Sequence, residues 1–276
     1  MSKSLSKTVN ENGNLFEIRT VQSGAFRTLV EALKEILAEA NLEVDPTGIR
    51  VIDVDETHTV LTYVRLHSEK FEYFFCPVNY VLGVNMMYLF KLIKTLNNSD
   101  SLTLFLPASN PNRLGIRTEN AEKLTTNTWM MKLFDTSVEH IELPNITFSN
   151  IINIPSSDFQ KICRDFNALA EKMEITSSNS DLIFRCLGDF VDGETVILSE
   201  NKDVKVQSSS SSEIVQGIFE LKYLIMFTKC TNLCQSIELY LKNDYPLILR
   251  YLVANLGEIR LVLAPQKKSG TSWIDK

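Results

Sequence analysis

The residues best placed for chemistry lie in VIDVDETHT, residues 51–59, where an apolar stretch leads into Asp53, Asp55 and Thr57. This D-x-D-x-T spacing fits the aspartyl-phosphate phosphatases, in which the first aspartate attacks phosphate and the second works as acid and base. Such enzymes set the motif in a parallel α/β sheet and hold magnesium with later acidic residues. Here the chain continues into VLTYVRL and FEYFFC, which predict a hairpin. A turn between strands therefore accounts for the acids, and phosphatase activity stays an alternative.

The five cysteines are an odd number at irregular spacing, which argues against a disulfide framework. Cys230 and Cys234 could meet on a helix, but no histidine lies near them to complete a zinc site. We predict that all five are packing thiols and that the protein holds no metal and no cofactor. The sequence also contains no phosphate-binding P-loop.

The bulk composition is that of a soluble globular protein long enough for two domains. The chain has 276 residues, of which 44% are hydrophobic and 22% charged. No run reaches the roughly 18 apolar residues that span a bilayer, and the first fifteen residues lack the apolar block of a signal peptide. These features predict a protein of a reducing compartment. Its formal net charge of −6 speaks against nucleic acid on average, yet still permits a local basic strip.

Four amphipathic helices are each followed by alternating, β-branched stretches that read as strands. The helices are predicted over Ala25–Asn41, about Asn85–Asn98, a segment after Pro155 capped by Ser156 or Ser157, and LKYLIMFTKC. The same order of elements therefore occurs twice, with the aperiodic stretch Phe134–Phe148 at the midpoint. Strands arriving in hairpin-like groups predict an α+β fold: two similar domains, each with antiparallel sheets and two helices on one face.

Each predicted helix carries two cations on its polar side. They are Arg27, Lys34, Lys91, Lys94, Lys161, Arg164, Lys222 and Lys229. On the first and third helices, nearby acids such as Glu31 and Asp165 could simply neutralise them. The second and fourth helices contain no acidic residue, although the chain has 34. This excess predicts a surface that touches phosphates without reading bases. Aromatic residues are not interleaved with these lysines, which disfavours a platform for single strands.

Taken in order, several segments resemble the sliding clamps of the proliferating cell nuclear antigen family. They are FEIRTVQSG, LVEALKEILAEANLEV, GIRVIDVDETH, LGVN, FQKICRDF, LKYLIMFTKCT, YPLILRYLV and the near-terminal LAP. The resemblance runs from about Phe16 to Pro265. It implies a non-enzymatic clamp fold that closes into a ring of three subunits, with helices around a central hole. The eight cations match the DNA-facing positions of the family.

The resemblance also implies a domain plan. Residues 1–15 are expected to be a loose extension, 16–133 the first clamp domain, 134–148 the interdomain connecting loop, 149–265 the second clamp domain and 266–276 a tail. In the family, peptides of polymerases, ligases, nucleases and the clamp loader dock under that loop. The matching positions are Val54, His58, Leu61, Ile141, Leu143, Pro144, Phe148, Pro246, Val262, Leu263, Ala264 and Pro265. A residue such as Leu263 could equally belong to the core.

The subunit contact is expected between edge strands, around Thr128–Leu133 of one chain and Thr195–Ser199 of the next. The side chains implied are Trp129, Met131, Leu133, Val196 and Leu198. The expected partners are double-stranded DNA, two further copies of the chain and the docking peptides, with no membrane. The expected place is the nucleus or the replication compartment of a large DNA virus. A scaffold that keeps the fold without a DNA role is a further alternative.

Some positions depart from the family pattern. Thr28 and Ala168 stand where many members place Lys and His toward DNA, so the basic strip is thinner. Val262 replaces a common pocket tyrosine, which predicts an altered peptide preference. Asn179 stands where eukaryotic members carry the lysine that accepts ubiquitin, which puts that regulation in doubt.

Overall fold

The structure is a computed structural model that describes residues 9–55, 57–135, 146–178, 181–208 and 214–266. Its elements form two repeats of one order: strand, helix, five strands, helix, three strands. The first repeat comprises β1 Asn14–Thr20, α1 Ser23–Ile36, β2 Glu39–Asp45, β3 Gly48–Val54, β4 Val60–His67, β5 Tyr73–Phe75, β6 Tyr80–Asn85, α2 Met86–Ile93, β7 Ser101–Pro107, β8 Arg113–Asn120 and β9 Thr125–Lys132. A short 3₁₀ helix, Ser68–Lys70, precedes β5.

The second repeat has the same elements in the same order. It comprises β10 Asn150–Pro155, α3 Ser156–Asn167, β11 Lys172–Ser178, β12 Asp181–Leu187, β13 Asp192–Ile197, β14 Lys205–Ser208, β15 Val215–Glu220, α4 Leu221–Phe227, β16 Ser236–Leu241, β17 Leu247–Val253 and β18 Gly257–Leu263. A 3₁₀ helix, Thr228–Leu233, extends α4. The predicted duplication is confirmed element by element.

Strand pairing repeats as well. In the first repeat β1 pairs with β5 and β7, and β2 pairs with β3 and β6; in the second, β10 pairs with β14 and β16, and β11 with β12 and β15. All of these pairings are antiparallel. The predicted α+β class with antiparallel sheets is therefore confirmed.

The chain divides into two compact units. The first contains residues Met1–Val54, Thr62–Glu142 and Leu252–Ile259, and the second contains Asp55–Leu61, Leu143–Tyr251 and Arg260–Lys276. The main division falls within the predicted connector, of which residues 136–145 lie outside the described ranges. At its start, the Phe134 N–H donates to the carbonyl oxygen of Gly83 on β6 at 3.2 Å.

The core of the first unit lies between its helices and its strands. Phe26, Leu29 and Leu33 on α1 are at most 4% exposed, and they meet Leu104 and Leu114 from β7 and β8 around one apolar cavity. The helical period of these residues therefore sends Arg27 and Lys34 to the other side of α1. In the second unit, Phe159 and Cys163 of α3 are fully buried in the same way.

Two helices are shorter than the sequence predicted. The first ends at Ile36 because Leu37 adopts an extended backbone and Glu39 already pairs with Asn85. The second begins after Asn85, whose side chain accepts the Tyr88 N–H at 3.0 Å, and it ends at Ile93. Apolar periodicity alone does not mark these ends, since buried strand residues continue the pattern.

The predicted serine cap of the third helix is wrong. Pro155 occupies the N-cap position, and the Ser156 hydroxyl donates instead to the carbonyl oxygen of Cys234 at 2.7 Å. The fourth helix keeps its predicted start, but it turns from α to 3₁₀ geometry at Thr228. Lys229 therefore lies on the 3₁₀ helix.

Candidate nucleic-acid interface

Most of the predicted cations reach solvent. Exposed side chains are found for Lys91, Lys94, Lys161, Arg164, Lys222 and Lys229. Lys222 has its ammonium 2.7 Å from a carboxylate oxygen of Glu220, with 64% of its side chain still accessible. Within the described ranges the other five form no ion pair. Their charge is therefore available to an anionic ligand.

The alternative that neighbouring acids neutralise the cations of α3 finds no ion pair among the described residues. Asp158 and Asp165 flank Lys161 in sequence, yet neither carboxylate pairs with it in the described part of the chain. The three side chains are all exposed, so the face of α3 carries both signs of charge in water. Helix α2 differs, because its exposed charges are all positive.

The two cations of α1 are tied to the protein. Arg27 donates from Nη1 to the carbonyl oxygen of Leu96, just beyond α2. Lys34 forms an ion pair with Glu35 and not with Glu31, the acid considered from the sequence, and its ammonium lies 4.8 Å from the ring centre of Phe90. Both side chains are half-buried. They contribute to helix packing as well as to the basic surface.

Aromatic rings accompany the lysines more closely than the sequence suggested. The ammonium of Lys91 lies 4.9 Å from the Tyr88 ring, and that of Lys222 lies 4.6 Å from the Tyr223 ring. Tyr223 is 7% exposed, whereas Tyr88 is 59% exposed. The spacing of three residues between Tyr88 and Lys91 on one helix face was the signal that could have revealed this pair.

The predicted peptide-binding residues differ in accessibility. Leu263 is fully buried, so its side chain belongs to the core and not to an open surface. His58 and Ala264 are exposed, while half-buried positions are Val54, Leu61, Phe148, Pro246, Val262 and Pro265. The Phe148 ring packs edge-on against Tyr240 with the centroids 5.5 Å apart. Ile141, Leu143 and Pro144 lie outside the described residues.

The predicted interface strands are both ends of sheets: β9 ends one sheet and β13 ends another. On β13, Val196 is 44% exposed, and Leu198 beyond its end is 56% exposed. On β9, Trp129 is half-buried, but Met131 is only 9% exposed and therefore faces the core. Leu133 follows the end of β9, where its N–H donates to the Asn112 carbonyl oxygen at 3.0 Å.

The D-x-D-x-T segment forms a structural turn. The Asp55 carboxylate accepts hydrogen bonds from the backbone N–H groups of Thr59 at 2.8 Å and Val60 at 2.6 Å, and from the Thr57 hydroxyl. Burial acts to raise the pKa of Asp55, but these hydrogen bonds hold it below its ordinary value. Both carboxylate oxygens are thus occupied by the turn, which disfavours a role in phosphate transfer.

Metal-ligating and thiol chemistry has little support. Across the described residues, no group of three His, Cys, Asp or Glu side chains is placed to hold a metal ion. Burial raises the pKa of the Cys76 thiol to about 12 and also raises that of Cys163 and Cys230. All five cysteines are free.

In the described ranges, every helix is too short or too polar to cross a bilayer.

Both repeats match known family models. Residues 15–140 match the N-terminal domain of proliferating cell nuclear antigen, and residues 142–266 match its C-terminal domain. The chain belongs to the proliferating cell nuclear antigen family. It is 34% identical to a probable DNA polymerase sliding clamp of Paramecium bursaria Chlorella virus 1, over 93% of this chain and 99% of the relative. The predicted family is confirmed: the protein is a DNA sliding clamp, a processivity factor of replication.

Proposed function

We propose that three copies of this chain close into a ring around duplex DNA and hold replication enzymes by their docking peptides. The cations of the helices would line the inner wall and contact phosphates without reading sequence. No residue in this proposal performs covalent chemistry. Opening the ring would require a separate ATP-driven loader, since the chain has no P-loop.

The proposal rests on strands that are equivalent in the two repeats but differ in position: two lie inside a sheet, and their counterparts lie at sheet edges. β4 and β18 each have a neighbouring strand on both sides. Inside the first unit, the His67 N–H donates to the Leu256 carbonyl oxygen at 2.9 Å; inside the second, the Ala264 N–H donates to the Thr59 carbonyl oxygen at 3.3 Å. Their counterparts in the other repeat, β13 and β9, are sheet edges. Pairing β9 of one chain with β13 of the next would cover both.

This contact is heterologous, since two different edges meet. Repeating it generates either a closed ring or an open filament, depending on the rotation between copies. Membership of a clamp family favours the ring. An edge with exposed apolar side chains is otherwise a site of aggregation. The pairing would therefore serve both solubility and assembly.

The charge pattern suits a clamp that slides. Phosphate contacts are nearly equal at every register and weaken steeply with salt, whereas base contacts would hold the ring in one place. A closed ring moves retention from affinity to topology. A polymerase tethered to it by a peptide then experiences a raised effective concentration at the primer end.

The proposed partners follow from the family. Peptides of DNA polymerase, the clamp loader, ligase and nuclease would dock near the exposed His58 and Ala264. The viral relative supports a replication compartment of a virus-infected cell as the place of action, with the nucleus as the other candidate.

Two measurements test the proposal. Light scattering should give a mass near three times 31.4 kDa. Replacing Lys91, Lys94, Lys222 and Lys229 with Ala should lower polymerase stimulation on a singly primed circle several-fold at about 0.15 M salt, because phosphate contacts are lost. The matched control replaces four exposed lysines away from the helices that carry the eight cations, namely Lys70, Lys123, Lys202 and Lys205.

The control protein should stimulate the polymerase as the wild type does. Equal stimulation by the helix variant and the wild type would count against the DNA-facing role of the helices. A monomer that gives no stimulation would instead favour a scaffold with the same fold.

A further inference from the structure

The turn between β12 and β13 presents an aromatic ring to solvent. Phe190 is 99% exposed, and its neighbours Leu187 and Val191 are 42% and 52% exposed. The turn is closely packed beneath them: a Cβ added to Gly188 would lie 2.3 Å from the carbonyl oxygen of Leu169 and 2.6 Å from that of Val191. Phe190 thus projects into solvent from a turn that is closely packed at Gly188.

A second exposed ring lies on α2. Tyr88 is 59% exposed, and Met87 beside it is 45% exposed. The helix is fixed at this end by Asn85, which caps it through the Tyr88 N–H. Tyr88 and Met87 together form an apolar patch on a helix whose exposed charges are positive.

The duplication shows what each ring should meet. Tyr88 is the third residue of α2, and Tyr223 is the third residue of the equivalent α4. Within the second unit, Tyr223 is 7% exposed, and its hydroxyl lies 3.0 Å from the Thr57 hydroxyl in the turn between β3 and β4. The equivalent turn of the second repeat is the one that carries Phe190. If Tyr88 makes the contact that Tyr223 makes, its partner is the turn between β12 and β13, which has Phe190 at its tip.

Charge favours the same pairing. Asp189 and Asp192 flank Phe190 and Val191 and are both exposed. Lys91, whose ammonium lies over the Tyr88 ring, is exposed on α2. An acidic turn with an apolar tip thus complements a cationic helix with an apolar patch.

We propose that Phe190 of one chain packs against Tyr88 of the neighbouring chain, next to the pairing of β9 with β13. This contact rests on the proposed ring. It adds a side-chain anchor to an interface otherwise made of strand edges, in the way that central aromatic residues dominate other interfaces. It would also place the negative charges of Asp189 and Asp192 on the side of the contact that faces the cationic helix α2.

Site-specific cross-linking tests the contact directly. Phe190→Cys and Tyr88→Cys are combined in one chain with Cys234→Ser, because Cys234 is the native cysteine that is only half-buried. A short bis-maleimide should convert this protein into covalent dimers and trimers in denaturing gels, while either single variant should stay monomeric. The matched control joins Phe190→Cys with Tyr245→Cys, since Tyr245 is also exposed but lies on another turn.

The outcomes separate this contact from the ring itself. A protein that is trimeric by light scattering before treatment, yet gives no more cross-linking than the Tyr245 control, would overturn the contact and leave the ring standing. A wild-type protein that is itself a monomer by light scattering would overturn both.

The energetic test uses dilution. Phe190→Ala should raise the concentration at which the trimer dissociates by roughly 10- to 100-fold, as truncation of an interface aromatic does. In the Phe190→Ala background, Tyr88→Ala should raise the dissociation concentration by a smaller factor than it does in the wild type, since the two rings would share one interaction. Fully additive effects would contradict the contact. Thermal unfolding at low concentration checks that both variants fold.

Discussion

At the scale of single residues, cations that look alike in sequence have different surroundings. Lys91 and Lys94 are exposed and form no ion pair among the described residues, whereas Arg27 donates to the Leu96 carbonyl oxygen. The helical period of α1 was enough to predict that Arg27 leaves the apolar face. It could not predict the hydrogen bond, because the position of Leu96 depends on where α2 ends and how the two helices pack.

Arg27→Ala should therefore lower the free energy of unfolding by about 1–2 kcal/mol, since the carbonyl oxygen of the buried Leu96 loses a charged donor. Lys91→Ala should change it by less than about 0.5 kcal/mol, as exposed substitutions usually do. Urea unfolding followed by circular dichroism measures both variants. Equal effects of the two substitutions would show that the Arg27 bond contributes nothing to stability.

At the scale of elements, the order of helices and strands was predictable and their ends were not. Alternation and apolar periodicity identified the duplicated pattern, because each element must bury one face. The end of α1 at Ile36 was missed because Leu37 and Ala40 are buried and continue the apolar spacing of the helix, although both lie beyond its end. The start of β1 was missed as well: the strand begins at Asn14, inside the segment 1–15 that was expected to be loose.

A polar cluster holds that first strand. Glu17, 9% exposed, accepts hydrogen bonds from the side-chain amides of Asn10 at 2.8 Å, Asn12 at 2.9 Å and Asn14 at 2.7 Å. Burial acts to raise the pKa of Glu17, but these amides, with the charge of Arg117, hold it below the ordinary value of 4.5. A depressed pKa means that the ionised form stabilises the fold, fully so above pH 4.5.

Glu17→Gln should therefore lower the free energy of unfolding by about 1–2 kcal/mol at pH 7, where the carboxylate is charged. The difference from the wild type should shrink as the pH falls below 4.5, because the wild-type carboxyl then takes up a proton. Urea unfolding between pH 7 and pH 3 measures this. Glu11→Gln, an exposed neighbour, is the control and should match the wild type at pH 7. A difference that grows on acidification would have the wrong sign.

At the scale of the whole molecule, the duplication identifies the strands whose edges are left open for another chain. β9 and β13 each end a sheet, whereas their counterparts in the other repeat, β18 and β4, do not. The sequence could indicate the repeat and the basic helices. It could not reveal that Phe190 is fully exposed or that Tyr223 bonds to Thr57, because both depend on how distant segments come together.

A closed ring and a protein held on DNA only by charge should respond differently to salt. Once loaded on a closed circle, the proposed ring should stay bound when salt is raised from about 0.1 to 0.5 M, although phosphate contacts weaken by orders of magnitude over that range. Cutting the circle should release it quickly even at low salt, because a ring held weakly by phosphates slides off a free end. Gel filtration of loaded, labelled protein before and after cleavage by a restriction enzyme measures this. Blocking both ends of the cut DNA with bulky proteins is the control and should restore retention. Rapid loss from the intact circle at 0.5 M salt would mean that charge, and not closure, keeps the protein on DNA.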